Sequence, residues 1–343
     1  MSVLKNIKDS ASKGLASAQS EAKKIGDVVA PKVVQGIGTA TTKAETALTA
    51  GKNAVVQVGT NAKDALVNQL DSNRDGNVDI EDIIVLAMKT PGIRVNRSKF
   101  LKNEFRIHYE QEIIDKAIET TPLNAGIPTE DIDKIADALI QHERYFVSGI
   151  SAALGAPGGV SMAATIPADI MQYYGYTLRA AQELMYLYGF PEILSEDGEA
   201  QIDTPTMNTL IVAMGVMFGV AGANNALKAM AKALGMGVEK QLMKKALTKG
   251  TIYPIVKSVA KWFSVKMTKE VFSGFFKKAI PVVGGIVGGG ITYLSFKPCC
   301  ERLQKSLMDT KLSNPSHQES TEENEIFQAI SREVDEFSEN MFE

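Results

Sequence analysis

The chain has 343 residues and a formal net charge of −3, so it is long enough for a sizeable core and has no overall attraction to nucleic acid. Its only cysteines, Cys299 and Cys300, are adjacent, which excludes a disulfide framework and favours a reducing, cytoplasmic compartment. The first twenty residues lack the apolar core of a signal peptide, so secretion by the general route is not expected.

Residues 1–68 are rich in Ala, Lys, Ser and Thr, with only a thin apolar stripe. This composition favours helix but offers little apolar area to bury. Two interpretations remain open. The segment is either a solvated leader or an amphipathic helix that lies on a membrane or on the rest of the protein.

Residues 71–82 read DSNRDGNVDIED and resemble the calcium loop of an EF-hand or of half a dockerin repeat. Gly76, at the sixth loop position, permits the sharp turn. Asp82 stands where such loops carry glutamate, and its shorter arm favours weak calcium binding or tolerance of magnesium. No second loop follows, although EF-hands usually pair, and the alternative is an Asx-rich turn without a metal. The predicted ligands are Asp71, Asn73, Asp75, Asn77, Asp79 and Asp82.

After the loop, a charged helical stretch is expected from Lys99 to Thr121, with Ile107 among its inward-facing residues. Another helix is expected to begin at Thr129, which has acidic residues directly after it. We interpret His108 and His142 as surface or core residues, because neither has a cysteine or another histidine nearby.

An uncharged run from Tyr145 to Ala168 contains a glycine-proline turn at residues 155–159. After Pro167 we expect a helix that is apolar on nearly all sides and ends at Gly189. Arg179 and Glu183 are four residues apart and can pair on one face. A buried polar cluster that fixes the register of this helix is predicted from four residues, which are Asp169, Tyr173, Arg179 and Glu183.

Residues 204–227 carry no charge, but their strongly apolar part is short for a membrane span. We interpret them as a buried core helix, with a membrane-dipping helix as the alternative. Residues 279–296 are also uncharged and rich in glycine. Together with the 145–168 run they suggest an apolar hairpin that packs in a bundle or dips into one leaflet.

Residues 228–278 form a lysine-rich region, in which twelve lysines face two glutamates for a net charge of +10. Interleaved apolar residues favour contact with anionic lipid. The alternatives are a solvated lysine face over a core, or contact with nucleic acid, which the absence of arginine disfavours. The acidic residues 313–343 are interpreted either as a loosely attached helix or, from their opposite charge alone, as a helix that docks on this region and screens it from lipid. The predicted lipid-binding residues are Lys240, Lys244, Lys245, Lys249, Lys257 and Lys261.

Two stretches, GAPGGVSMAATIPADIMQYYGYTLRAAQELMYLYGF and KAIPVVGGIVGGG, resemble the signature of the EcsC family. The resemblance covers residues 100–307 approximately. It implies an all-helical, membrane-associated protein with no agreed activity. It also implies, through genomic association, an adaptor or regulator of a membrane transporter.

The sequence thus predicts an all-α protein, a multi-helix bundle with glycine-rich apolar hairpin segments and an N-terminal helix-loop-helix cation site. Its expected parts are a leader at 1–68, an EF-hand-like segment at 69–95, an EcsC-like domain at 96–312 and an acidic tail at 313–343. We expect a non-enzymatic calcium- or magnesium-binding protein, cytoplasmic and peripheral to or partly embedded in an anionic membrane. The alternatives are the transporter adaptor and a lipid-handling hydrolase that uses the cluster around Asp169.

Overall fold

The structure is a computed structural model of the chain. Its described residues form α-helices joined by turns, and no strand occurs among them, so the predicted all-α fold class is confirmed. The leader at 1–68 lies outside the described residues. The described residues are 71–72, 78–155, 161–193, 202–236, 246–266 and 284–341, with side chains over 71–72, 78–151, 172–193, 202–236, 246–263 and 292–333.

The helices of the described residues are numbered here in chain order. The first five are α1 (Ile80–Met88), α2 (Arg97–Phe105), α3 (Gln111–Glu119), α4 (Thr129–Gly155) and α5 (Ser161–Leu187). The next five are α6 (Thr204–Met217), α7 (Ala223–Gly235), α8 (Tyr253–Lys266), α9 (Gly284–Met308) and α10 (Thr321–Met341).

Two expectations about these helices are wrong. The stretch from Lys99 to Thr121 is not one helix, because a turn after Phe105 separates α2 from α3 and leaves Ile107 77% exposed. Pro167 does not begin its helix, since α5 starts at Ser161. Methionine and two alanines follow Ser161 directly, and their high helix propensity favours this earlier start.

The end of α5 is as predicted. Gly189 adopts a φ of +94°, which is accessible mainly to glycine. Directly after it, the backbone N–H of Phe190 donates to the carbonyl of Met185 at 2.9 Å. This bond satisfies a carbonyl at the end of the helix that would otherwise lack a partner.

The chain divides into two compact units, and each contains several separate pieces of sequence. Within the described residues, unit 1 consists of three pieces, which are the residues up to Leu86, His142–Tyr174 and Lys266–Ser295. Unit 2 takes Ala87–Gln141, Gly175–Val265 and Phe296–Glu343, again within the described residues.

Helix α6 lies in the core of unit 2, with all residues from Leu210 to Met217 buried. The expected buried core helix is thus α6, which ends at Met217, and a turn at residues 218–222 separates it from α7, so residues 204–227 do not form one helix. Gly215 permits close packing, because a Cβ there would lie 2.7 Å from Val259 of α8 and 2.9 Å from Ala223 of α7. In the part of the chain that the structure describes, no helix is both long and apolar enough to cross a bilayer.

Arg97 is the largest buried cation of the described chain and joins α2 to two other segments of unit 2. Its guanidinium donates to the carbonyl of Phe190 at 3.0 Å and to three carbonyls at the end of α3, those of Ala117, Ile118 and Thr120. Burial lowers the pKa of Arg97, although Glu192 counteracts that effect. A buried cation that satisfies four carbonyls holds these helix ends together.

Candidate functional site

The predicted cation loop is described at its two ends. Helix α1 begins at Ile80, which is fully buried. Asp79 caps this helix, because its Oδ1 accepts hydrogen bonds from the backbone N–H of Glu81 at 2.8 Å and of Asp82 at 3.1 Å. Three predicted ligands lie outside the described residues, namely Asn73, Asp75 and Asn77.

The carboxylate of Asp82 closes the loop. Its Oδ1 accepts from the backbone N–H of Ser72 at 2.9 Å and from the hydroxyl of Ser72 at 2.7 Å. Its Oδ2 accepts from the backbone N–H of Asp79 at 3.0 Å, and the residue is only 1% exposed. The short aspartate arm therefore reaches the loop's own backbone at the position where calcium loops carry glutamate.

The residue types of this loop suit a hard cation. Carboxylate and amide oxygens are the ligands that Ca²⁺ and Mg²⁺ prefer. Among the described residues, no group of three His, Cys, Asp or Glu side chains is arranged to hold a metal. The full ligand set thus stays a prediction that fits the chemistry of the loop.

The lysine-rich region contains two kinds of lysine. On α7, the side chains of Lys228 and Lys232 are each 11% exposed and are paired with acidic residues. Lys228 donates to Asp309, and Lys232 donates to Glu319 at 2.6 Å. By contrast, the predicted lipid-binding residues Lys249, Lys257 and Lys261 are exposed, and three others lie outside the described residues, namely Lys240, Lys244 and Lys245.

The exposed lysines of α8 have aromatic neighbours. Lys257 and Lys261 are four residues apart on one face of the helix. Trp262, the only tryptophan of the chain, is half-buried, with its ring 5.0 Å from that of Phe263 and 6.1 Å from that of Phe218. Since the sequence of α8 contains no acidic residue, its positive charge is not balanced within the helix.

The acidic C-terminal helix α10 packs on α7, in agreement with the expected docking on the lysine-rich region. Besides the ion pair of Lys232 with Glu319, the Nζ atom of Lys232 lies 3.8 Å from the ring centre of Phe327. Further along, the carboxylate of Glu333 accepts hydrogen bonds from the backbone N–H and the hydroxyl of Thr251. The helix thus meets both α7 and the segment that leads into α8.

A buried histidine completes this contact. The ring of His317 is 2.6 Å from Asp309 at Nδ1 and 2.9 Å from Glu323 at Nε2. Burial alone would raise the pKa of Asp309, but the hydrogen bonds from Lys228 and His317 outweigh it and hold that pKa below its usual value. We call Lys228, Asp309, His317 and Glu323 the charged cluster.

Sequence reasoning missed the charged cluster. His317 has no metal-type spacing to other residues, and its two carboxylate partners lie eight residues before it and six after it. One local signal was present. Ser320 and Glu323 have the spacing of a helix-capping pair, and the hydroxyl of Ser320 accepts the backbone N–H of Glu323 at 3.1 Å.

The predicted polar cluster of α5 is described in part. Arg179 pairs with Glu183 at 3.0 Å, as their spacing predicts, and also donates to the carbonyl of Gly92 at 2.6 Å. Tyr173 belongs to unit 1, where its hydroxyl donates to the hydroxyl of Ser295 at 3.2 Å. The side chain of Asp169 lies outside the described side chains.

Besides the charged cluster of unit 2, sequence reasoning also missed a group of buried polar side chains in unit 1. Ser151 donates to the amide oxygen of Gln172 at 3.1 Å, and Thr292 donates to Ser151 at 3.0 Å. The amide nitrogen of Gln172 donates to the carbonyl of Val147 at 3.0 Å. These three side chains, which we call the neutral seam, join α4, α5 and α9 without any formal charge.

Comparisons of the chain with protein-family models, with curated proteins and with solved structures found no match. The similarity to the EcsC family therefore stays a prediction.

Proposed function

We propose that the protein is a non-enzymatic, cation-binding protein that associates with an anionic membrane surface through its lysine-rich region. The observation that carries this proposal is the face of α8, where Lys257 and Lys261 are exposed next to the half-buried Trp262. Lysines interleaved with amphipathic aromatic rings are typical of helices that lie at the lipid headgroups.

The charges support an electrostatic attraction. Each lysine near an anionic leaflet contributes about 1 kcal/mol of binding free energy, and this contribution weakens as salt screens it. Lys249 adds a third exposed cation, whereas Lys228 and Lys232 are already paired with acidic residues inside the protein. Among the described lysine side chains of the lysine-rich region, those available to a membrane are therefore the ones around α8.

The cation loop has a separate role in this proposal. Asp71, Asp79 and Asp82 would hold calcium or magnesium together with the three predicted ligands Asn73, Asp75 and Asn77. A bound cation would neutralise the acidic loop and stabilise the start of α1. Asp79 already caps that helix, and Asp82, which accepts hydrogen bonds from Ser72, already joins the two described ends of the loop.

Cation binding is tested by isothermal titration of the purified protein with calcium and then with magnesium. The variant Asp71→Ala/Asp75→Ala is the better probe than Asp82→Ala, because Asp82 also bonds to backbone N–H groups. We expect the double variant to lose calcium binding, while the exposed control Asp115→Ala keeps it. Equal calcium binding by both variants would contradict the loop assignment.

Membrane association is tested by flotation with anionic and with neutral phospholipid vesicles, in calcium and then in chelator. We expect flotation that requires anionic lipid and that Lys257→Glu/Lys261→Glu weakens. The matched control is Lys102→Glu/Lys116→Glu, which reverses two exposed lysines on α2 and α3. No flotation with any vesicle would contradict the proposal, and calcium-independent flotation would restrict the loop to a structural role.

A further inference from the structure

Two helices that extend into unit 1 have uncharged ends there. In α4, Arg144 is the last charged residue before the helix ends at Gly155. In α9, Lys297 is the first charged residue after the helix begins at Gly284. Each helix therefore has an uncharged end within unit 1.

The two transitions meet in space. The Nε atom of Arg144 donates to the carbonyl of Tyr293 at 2.7 Å, and the guanidinium carbon lies 3.4 Å from the centre of the Tyr293 ring. The ring of Tyr145 lies 5.7 Å from the same ring. An arginine and two tyrosines thus form one group at the level where charge disappears from both helices.

This group has an exposed apolar side. Tyr145 is 63% exposed and Leu294, which directly follows Tyr293, is 70% exposed, so the group presents apolar surface outward. Tyrosine has an apolar ring and a polar hydroxyl, so it is enriched where lipid headgroups meet acyl chains. We call Arg144, Tyr145, Tyr293 and Leu294 the collar.

The inner sides of the same helices suit an apolar environment. The neutral seam of Ser151, Gln172 and Thr292 satisfies its polar atoms between the helices and carries no charge. Hydrogen bonds of this kind join helices within bilayers, where a charged group would be costly.

The lengths of the uncharged ends agree with shallow insertion. From Tyr145 to Gly155, α4 has eleven residues and extends about 16 Å. From Gly284 to Tyr293, α9 has ten residues and extends about 15 Å. The hydrocarbon core of a bilayer is about 30 Å thick, so these ends match one leaflet. In α5 the uncharged part, from Ser161 to Ala168, is shorter, because Asp169 follows.

We propose that the collar sits at the headgroup level of one phospholipid leaflet, with the uncharged ends of α4 and α9 in the acyl chains beyond it. This inference rests on the proposed membrane association and adds a second contact, which depends on insertion rather than on surface charge. Arg144 lies at the phosphates, and Tyr145 and Leu294 lie against the upper acyl chains.

The test places a polarity-sensitive nitrobenzoxadiazole label on single introduced cysteines of the full chain. Tyr145→Cys and Leu294→Cys report on the collar, and Ile107→Cys is the matched control, since Ile107 is an apolar residue of unit 2 that is 77% exposed. The unmodified chain measures background labelling, because Cys299 and Cys300 are both buried. Label emission is recorded with anionic and with neutral vesicles, and flotation is measured in parallel.

We expect the emission of both collar labels to rise at least about twofold on vesicles and that of the Ile107 label to stay constant, because only the collar enters an apolar phase. Flotation without any rise in the emission of the collar labels would contradict the proposed insertion of the collar but not the lysine-based proposal. A rise on neutral vesicles that persists in Lys257→Glu/Lys261→Glu would support the collar and contradict the lysine-based proposal. Neither flotation nor a rise would overturn both.

Discussion

The neutral seam of unit 1 and the charged cluster of unit 2 bury polar side chains in different ways. In unit 1, the neutral seam joins helices through a hydroxyl, an amide and a second hydroxyl. In unit 2, the charged cluster joins Lys228, Asp309, His317 and Glu323 through ion pairs. A neutral seam keeps its bonds over a wide pH range and in an apolar medium, whereas a charged cluster depends on protonation and on nearby water.

This difference suits the proposed roles of the units. Unit 1 contains the uncharged helix ends and the collar, for which contact with lipid is proposed. Unit 2 contains the lysine-rich face of α8 and the acidic helix α10, whose charges act through water. The predictions that follow test whether charged and neutral contacts differ in cost and in pH response as this comparison requires.

Arg97→Met is expected to have the largest effect, because it removes the cation that satisfies four backbone carbonyls in unit 2. We expect the free energy of unfolding to fall by about 3 kcal/mol or more. Urea unfolding monitored by circular dichroism measures the loss. The exposed control Arg106→Met should lose less than about 0.5 kcal/mol, and equal losses would contradict the role of Arg97.

Lys228→Met tests the charged cluster. It leaves Asp309 without its lysine partner, but Asp309 is half-exposed, so water compensates in part. We therefore expect a loss of roughly 2 kcal/mol in unfolding free energy, together with faster proteolytic cleavage ahead of α10. Lys305→Met, on the exposed side of α9, serves as the control. If Lys228→Met were as stable as this control, the ion pairs of the charged cluster would contribute nothing to the free energy of unfolding.

Gln172→Leu tests the neutral seam. The change keeps the volume but removes the hydrogen bonds with Ser151 and Val147, so we expect a loss of about 1 kcal/mol. The loss should be the same at pH 5 and at pH 8, because no partner in the seam titrates. The exposed substitution Gln328→Leu is the control for added apolar surface. A loss that varied with pH would contradict the neutral character of the seam.

The smallest expected effect is the acid response of Asp309. Its pKa is lower in the folded protein than in the unfolded chain, so the carboxylate contributes stability above the unfolded value of 3.8. That contribution is lost as the pH falls through the folded pKa. Because half of the side chain is exposed, we expect the loss to stay below about 1 kcal/mol. Urea midpoints between about pH 5 and pH 3 measure it, and Asp309→Asn should flatten the slope.

Local patterns predicted much of the fold. The apolar periodicity around Leu178 and Leu184, the glycine at 189 and the uncharged run of α6 each depend on neighbours within a few turns, and each matches the structure. The expected pairing of Arg179 with Glu183 also depends on helical spacing alone. The helix start at Pro167 was wrong, because the helix propensity of the residues before it outweighed the proline used as a marker. The continuous helix through Ile107 was wrong, because a turn interrupts it after Phe105.

The contacts that join distant segments could not be predicted. Thr292 reaches Ser151 across 141 positions, and Lys228 reaches Asp309 across 81 positions. Their pairing depends on the register of packed helices, which a single sequence does not reveal. For the same reason, the sequence did not show that Lys228 and Lys232 are paired internally while Lys257 and Lys261 are exposed.

The most direct test of membrane association is the partition of the protein onto anionic vesicles at low and at high salt, measured by the emission of Trp262. We expect tight partition at low salt, a blue shift of the tryptophan emission, and at least about tenfold weaker partition for Lys257→Glu/Lys261→Glu. High salt should reduce this difference, because it screens the exposed charges. Equal partition of the wild-type protein and this variant at low salt would contradict the account.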